Sequence, residues 1–357
     1  MKAVVLVGGE GTRLRPLTLS TPKQMLPIVG LPMIERVLGH LAAHGIDEAV
    51  LSLGYLPDTF RRAYPDGTAA GVRLSYATEP EPLDTAGAVR FAADHAGVDE
   101  TFVVVNGDVL TDMDVSALVA FHRERGAEGT IALHPVDDPS AFGVVPTDAD
   151  GRVTAFVEKP PRDEAPTNQI NAGTYVLEPS FLARVPAGRR VSIERETFPA
   201  MVRDGGLYAR ADEAYWLDTG TPADYLQAHR DLVEGRRGTP PAPGARREDG
   251  LWTTGSPRVE GTVVGACFVA DGAVVAEGAR VEQSVLGPGS VVEAGATVSG
   301  SVLLADARVA AGAAVAGSVL GPGATVGMRC DVRPISVLGE GAVVASGTTV
   351  DGERVPG

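Results

Sequence analysis

Aliphatic residues recur every six positions through residues 258–357, and few folds tolerate that spacing. One run is Val263, Val269, Val275 and Val281. A second is Leu286, Val292, Val298 and Leu304, continued by Ala310 and Ala316. A third is Leu320, Val326, Val332, Leu338, Val344 and Val350. The phase slips by five residues after Val281 and by four after Ala316. Gly-Pro-Gly stands at 287–289 and again at 321–323, just past a phase-setting leucine. Period six with glycine-rich corners is the pattern of a β-helix with three short strands per coil. Such a rod has open ends and little concavity for a small molecule. No catalysis is expected in it. Its repeated aliphatic positions, taken as exposed, suit packing on a second copy of the chain or on the first domain, and self-association is expected, most simply as a two-fold dimer.

The rest of the chain follows another rule. With 357 residues there is room for two domains. Residues 3–7 are a short apolar run ending at Gly8-Gly9, the mark of a buried strand. Residues 33–44 have helical spacing and stop at Gly45. A strand is predicted at 48–53, a helix at 84–95 and a third buried strand at 101–105. This alternation predicts an α/β domain over 1–235 with a mostly parallel, Rossmann-like sheet. Ligands of such sheets bind beyond the carboxyl ends of the strands. Gly8-Gly9 and the turn Asn106-Gly107-Asp108 both fall there. Residues 236–257, rich in Pro, Gly and charge without a period, read as a linker before the repeat domain at 258–357.

Charge removes several function classes. The net charge is −15, from 46 acidic and 31 basic residues. An acidic chain lacks the electrostatic footprint for nucleic acid or an anionic membrane. Phosphates must therefore be held by a few placed cations and backbone amides. Two distant cysteines, Cys267 and Cys330, make neither a disulfide framework nor a metal cluster. No stretch approaches the ~20 apolar residues of a membrane span, and a cytoplasmic protein is expected.

Residues 8–16 read Gly8-Gly9-Glu10-Gly11-Thr12-Arg13-Leu14-Arg15-Pro16, directly after the first strand. Glycines at 8, 9 and 11 let backbone amides approach a phosphate chain, and Arg13 can pair with phosphate oxygens bidentately. The spacing is neither the Rossmann G-x-G-x-x-G nor the P-loop. Taken alone it could be a structural strand-to-loop turn. Lys23 follows in Pro22-Lys23-Gln24-Met25-Leu26-Pro27, among turn-forming and apolar residues rather than on a charged face. A carboxylate at Asp108 or Asp218, each in a turn, can hold Mg²⁺ together with substrate phosphates. The segment 79–87 carries two carboxylates, Glu79 and Glu81, either of which could accept a pair of N–H donors.

These motifs together resemble the sugar-1-phosphate nucleotidyltransferase family. GGEGTRLRPLT followed by PKQMLP looks like its signature. Asn106-Gly107-Asp108, Phe142-Gly143-Val144, Phe156-Val157-Glu158-Lys159-Pro160, Asn171-Ala172-Gly173 and Trp216-Leu217-Asp218-Thr219-Gly220 follow in the family's order. Within the family the likeness is to bacterial GDP-mannose pyrophosphorylases with an appended left-handed β-helix. The resemblance implies GTP and mannose 1-phosphate as substrates and Mg²⁺ held by Asp108 and Asp218. It implies that Gly8, Gly9, Gly11, Thr12, Glu79, Glu81 and Gly87 surround the nucleotide. Arg13, Lys23 and Lys159 would be the catalytic cations, and Asn106, Gly143, Glu158 and Asn171 would border the sugar. Two positions depart from the family: Asp84 where Gly is common, and Gln24 where Pro is more usual. Asp84 is expected to cap the helix that follows it. Another base or sugar-like phosphate, and a non-catalytic regulatory subunit of the same fold, remain the alternatives.

Overall fold

A computed structural model describes all 357 residues. The chain divides into two compact units: Met1–Gly9 with Ile34–Trp216, and Glu10–Met33 with Leu217–Gly357. The division cuts through the glycine-rich loop, so each unit is described by itself.

Four strands form the parallel centre of the first unit: β1 (Lys2–Leu6), β2 (Glu48–Leu53), β3 (Val72–Thr78) and β4 (Phe102–Asn106), in the spatial order β4-β1-β2-β3. Register runs Ala3 to Ala49 on one side and Ala3 to Val103 on the other. The strands are Val- and Leu-rich because both faces are covered; Val4, Val50 and Val104 all lie in the main core with Phe102 and Tyr175. The helix predicted at 84–95 is α1 (Asp84–His95), whose buried face is Ala86, Val89, Ala92 and Ala93 at helical spacing. Beyond β4 the sheet turns antiparallel through a long strand at Gln169–Leu177, which pairs with β4 and with Gly129–Pro135. It also pairs with Gly143–Val144, which in turn carries Val157–Glu158. The sheet is therefore mixed, with a parallel core.

The second unit contains the segment 10–33, the helix α2 (Pro222–Glu234) and the β-helix. Pro at the first turn, Thr221 before it and Gly235 (φ 80°) after it delimit α2. The β-helix consists of parallel strands stacked in three sheets, a left-handed β-helix. One ladder stacks Val269, Leu286, Leu303, Leu320, Leu338 and Val355. The second stacks Val275, Val292, Val309, Val326 and Val344. The third stacks Val281, Val298, Val315, Val332 and Val350. Most coils are six, six and five residues, 17 in all, as from Leu286 to its partner Leu303, whereas the coil from Leu320 to Leu338 takes three steps of six, 18 in all.

This corrects the second sequence run. After Val298 the inward positions are Leu303, Val309 and Val315, not Leu304, Ala310 and Ala316. The slip of one falls at Gly300 (φ 52°), which turns the short corner. Two further expectations change. Residues 246–253 of the supposed linker form an antiparallel hairpin, Arg246–Glu248 with Leu251–Thr253, whose second strand pairs with Cys267–Val269. The repeated aliphatics are not exposed: they fill the core of the rod. The large apolar side chains that face solvent there are few, namely Val259, Met328, Ile335 and Val343. Both cysteines are buried free thiols.

Candidate functional site

In the first unit, the carboxyl ends of the parallel strands bring together Gly8, Glu79 and the turn after Asn106. Gly8 lies against Glu79; a Cβ there would sit 3.4 Å from Glu79 Oε1. The Ser52 hydroxyl donates to that oxygen at 3.0 Å, and the Leu83 amide donates to Oε2 at 3.0 Å. Glu79 therefore holds the loop that opens α1. Glu81 is exposed on the same loop, as is Gly9 at its own. Gly87 is buried, and a Cβ there would fall 2.6 Å from the Arg189 carbonyl. Its amide donates to Val191 O at 3.2 Å, alongside that of Ala86. Gly87 thus packs α1 on residues 189–191, and its amide is not turned to a ligand.

Asp84 does not cap α1 in the expected way. The residue before the helix is Leu83, and Asp84 is itself its first residue, with a left-handed φ of 60°. Its carboxylate accepts the Thr85 amide at 2.9 Å and lies 3.6 Å from Arg190 Nε. Left-handed backbone explains why glycine is common there in the family and why Asp, which tolerates it, can replace it.

On the antiparallel side the structure gathers the residues assigned to the sugar. Gly143 is opposite Glu158 in register, and a Cβ on it would meet the Phe156 ring at 2.6 Å and Glu158 Oε2 at 3.1 Å. Lys159 follows with φ 49° and lies 3.5 Å from Glu158 Oε1, largely in solvent. Asn171 sits at a bulge in the long strand. Its Oδ1 accepts the Gly173 amide at 3.0 Å, and its Nδ2 donates to the Tyr175 hydroxyl at 2.9 Å. Gly173 (φ 74°) must be glycine twice over, since a Cβ would also lie 2.5 Å from Asn106 Nδ2. The bulge thus seats Asn106 and Asn171 beside one another.

Several neighbours escaped the sequence. Glu194 accepts from Thr85 Oγ1 at 2.7 Å and from Ser192 Oγ at 2.9 Å. Burial, with the charges of Glu194 and Glu158, pushes the Tyr175 hydroxyl far above the ordinary tyrosine range, so it stays a neutral phenol. Trp216 donates to Ala172 O at 2.9 Å and stacks on His134. The pairs that join distant elements have no local signature: Thr85 and Glu194 are 109 residues apart, Trp216 and Ala172 are 44.

The second unit holds two of the cations, Arg13 and Lys23. Gly11 (φ 60°) turns the chain into a 3₁₀ turn at Thr12–Leu14, and a Cβ there would lie 3.0 Å from Lys23 Cβ. Thr18 Oγ1 donates to Gly11 O at 2.8 Å, closing the loop on itself. A Cβ on Gly220 would collide with Arg13 Nη2 and fall 2.9 Å from Asp218 Oδ1. Asp218 Oδ1 also accepts the Gly220 amide at 2.9 Å, which fixes the carboxylate. Arg13 and Asp218 therefore share the space above Gly220, while Lys23 stands behind Gly11. Thr12 and Arg13 are exposed; Leu14, Pro16, Leu17 and Thr18 are buried.

The fold is a Rossmann-like α/β domain followed by a left-handed β-helix. The nucleotidyl transferase family description matches residues 2–235, and that of the GMPPB C-terminal domain matches 263–356. The chain belongs to the nucleotidyl transferase family. It is 47% identical over 270 residues to a mannose-1-phosphate guanylyltransferase of Mycobacterium tuberculosis, covering 74% of each chain. It is 44% identical over 230 residues to a mannose-1-phosphate guanyltransferase of Emericella nidulans, covering 63% of this chain and 62% of that one. Among solved structures it is similar to HddC from Yersinia pseudotuberculosis complexed with GMP-PN: TM-score 0.56, 30% identity, 64% of this chain and 98% of that one. No helix is long and apolar enough to cross a membrane.

Proposed function

We propose that this chain joins GTP to mannose 1-phosphate, giving GDP-mannose and pyrophosphate in the cytoplasm. The observation that carries this is the 47% identity to the mycobacterial guanylyltransferase across most of both chains. A phosphate oxygen of the sugar phosphate attacks the α-phosphorus of the triphosphate in line. The bond from α-phosphorus to the bridging oxygen breaks, and pyrophosphate leaves. Both partners are anions, so the protein must cancel their repulsion and align them. Arg13 and the amides around Gly11 and Thr12 hold the departing pyrophosphate, and Lys23 the nucleotide phosphates. Lys159 grips the sugar phosphate, while Glu158, Asn171 and Asn106 take hydrogen bonds from sugar hydroxyls. Glu79 or Glu81 reads the base. No covalent intermediate is needed, and the regulatory-subunit alternative is disfavoured because Arg13, Lys23, Asp108, Lys159 and Asp218 are all present.

Asp108 and Asp218 are hard oxygen donors of the kind Mg²⁺ takes beside substrate phosphates, so the donor set fits. When bound, Mg²⁺ would neutralise charge on the α-phosphate. A second reading keeps the chemistry but changes the base or sugar; Asp84 in place of glycine at the base-side loop favours it. Pyrophosphate release over the four nucleoside triphosphates against several sugar 1-phosphates separates the two. GTP with mannose 1-phosphate should give the highest kcat/KM. A higher value for any other pair overturns the substrate assignment.

A further inference from the structure

The 10–20 loop has two sides. Thr12, Arg13 and Arg15 face solvent, while Leu14, Pro16, Leu17 and Thr18 are buried. Part of what buries it is the end of the β-helix, in the same compact unit. A Cβ on Gly339 would lie 3.1 Å from Pro16 Cβ and 3.2 Å from Pro16 Cγ. One residue on, Glu340 Oε2 accepts the Ser20 hydroxyl at 2.6 Å.

The repeat makes this corner unusual. The ladder positions Leu286, Leu320 and Leu338 are each followed by a glycine-flanked corner: Gly287-Pro288-Gly289, Gly321-Pro322-Gly323 and Gly339-Glu340-Gly341. The two earlier corners carry proline in the middle. The third carries glutamate, and it is the one that meets the loop. Proline's side chain accepts no hydrogen bond, whereas glutamate's does. The glutamate at this corner therefore serves the loop rather than the coil.

We propose that this corner of the β-helix braces the triphosphate loop, with Gly339 and Glu340 as positioning residues for Arg13. The proposal rests on the function above. The bottom of the loop is fixed by packing of Pro16 on Gly339 and by the Ser20–Glu340 bond, so its upper face keeps Arg13 and the amides of residues 11–13 in place for phosphate. The β-helix then takes part in nucleotide affinity although it holds no catalytic residue.

The test uses the full-length chain. Glu340→Pro restores the corner seen at 288 and 322, so the coil is preserved while the acceptor is lost. Ser20→Ala removes the donor from an exposed site. Each should raise KM for the triphosphate about two- to tenfold, the scale of one hydrogen bond. KM for the sugar phosphate and the melting temperature should hold. Glu340→Gln keeps an oxygen acceptor and should stay near wild type. The double variant Ser20→Ala with Glu340→Pro should be no worse than either alone. Val343→Ser, an exposed position on the same coil, serves as control. Should Glu340→Pro not fold, Ser20→Ala against Glu340→Gln carries the test. Unchanged triphosphate KM in Ser20→Ala, equal rises for both substrates, or a Gln variant as impaired as Pro overturns the brace. Those outcomes in an active wild type leave the proposed function standing; a wild type inactive on every substrate pair overturns that function instead.

Discussion

Asp108 and Asp84 illustrate what single residues do in this chain. Asp108 sits in the turn after β4, whose first four residues are buried, where a carboxylate can meet substrate phosphate. Asp108→Asn is nearly isosteric and should leave the melting temperature within a few degrees. Turnover at saturating Mg²⁺ should fall below about a tenth of wild type, because the variant loses one of the two carboxylates proposed to hold the metal. Steady-state kinetics beside a thermal melt checks both halves. Asp84 is a different case. Its left-handed backbone costs an L-residue about 1 kcal/mol, and its half-solvated pair with Arg190 contributes under ~1 kcal/mol. Asp84→Gly should therefore leave the urea midpoint unchanged or slightly raised, with activity retained. A clear loss of stability would mean that the Thr85 and Arg190 contacts outweigh the strain.

At the scale of elements, strand and helix positions in the first unit were legible because both faces of the parallel strands are apolar and α1 shows a one-sided stripe. The β-helix was legible from period six alone. Its exact phase was not, because a 17-residue coil contains one five-residue step that Gly300 absorbs, and Leu304 sits beside the true position Leu303. Leu304 is itself buried, so hydrophobicity could not separate the two. Substitution can separate the phases further along. Val309→Ala should cost about 2–3 kcal/mol in denaturant unfolding through lost burial and a cavity. Ala310→Ser, partly exposed, should stay within about 0.5 kcal/mol. Equal costs would contradict the ladder. The hairpin within 246–253 was hidden by its charge: Arg246, Arg247 and Glu248 are all exposed, held by backbone pairing and by the Arg247 guanidinium over the Trp252 ring. The candidate site was legible where motifs are contiguous, as in residues 8–16. It was not legible where folding joins distant residues, as in Thr85 with Glu194 or Ser20 with Glu340.

For the whole molecule, self-association is an inference from how common closed dimers are rather than from an apolar face, since the repeated aliphatics are interior. Light scattering of the full chain at micromolar concentration should give twice the 36.9 kDa chain mass; a monomer mass would rule the dimer out. The assembled molecule is proposed to perform one reaction, and its product is the most direct evidence of it. The decisive measurement incubates purified full-length protein with GTP, mannose 1-phosphate and Mg²⁺ and follows phosphorus by NMR. The expected result is one GDP-mannose for each pyrophosphate formed, with no orthophosphate. Orthophosphate in place of pyrophosphate, or no turnover of GTP with this acceptor, would contradict the assignment.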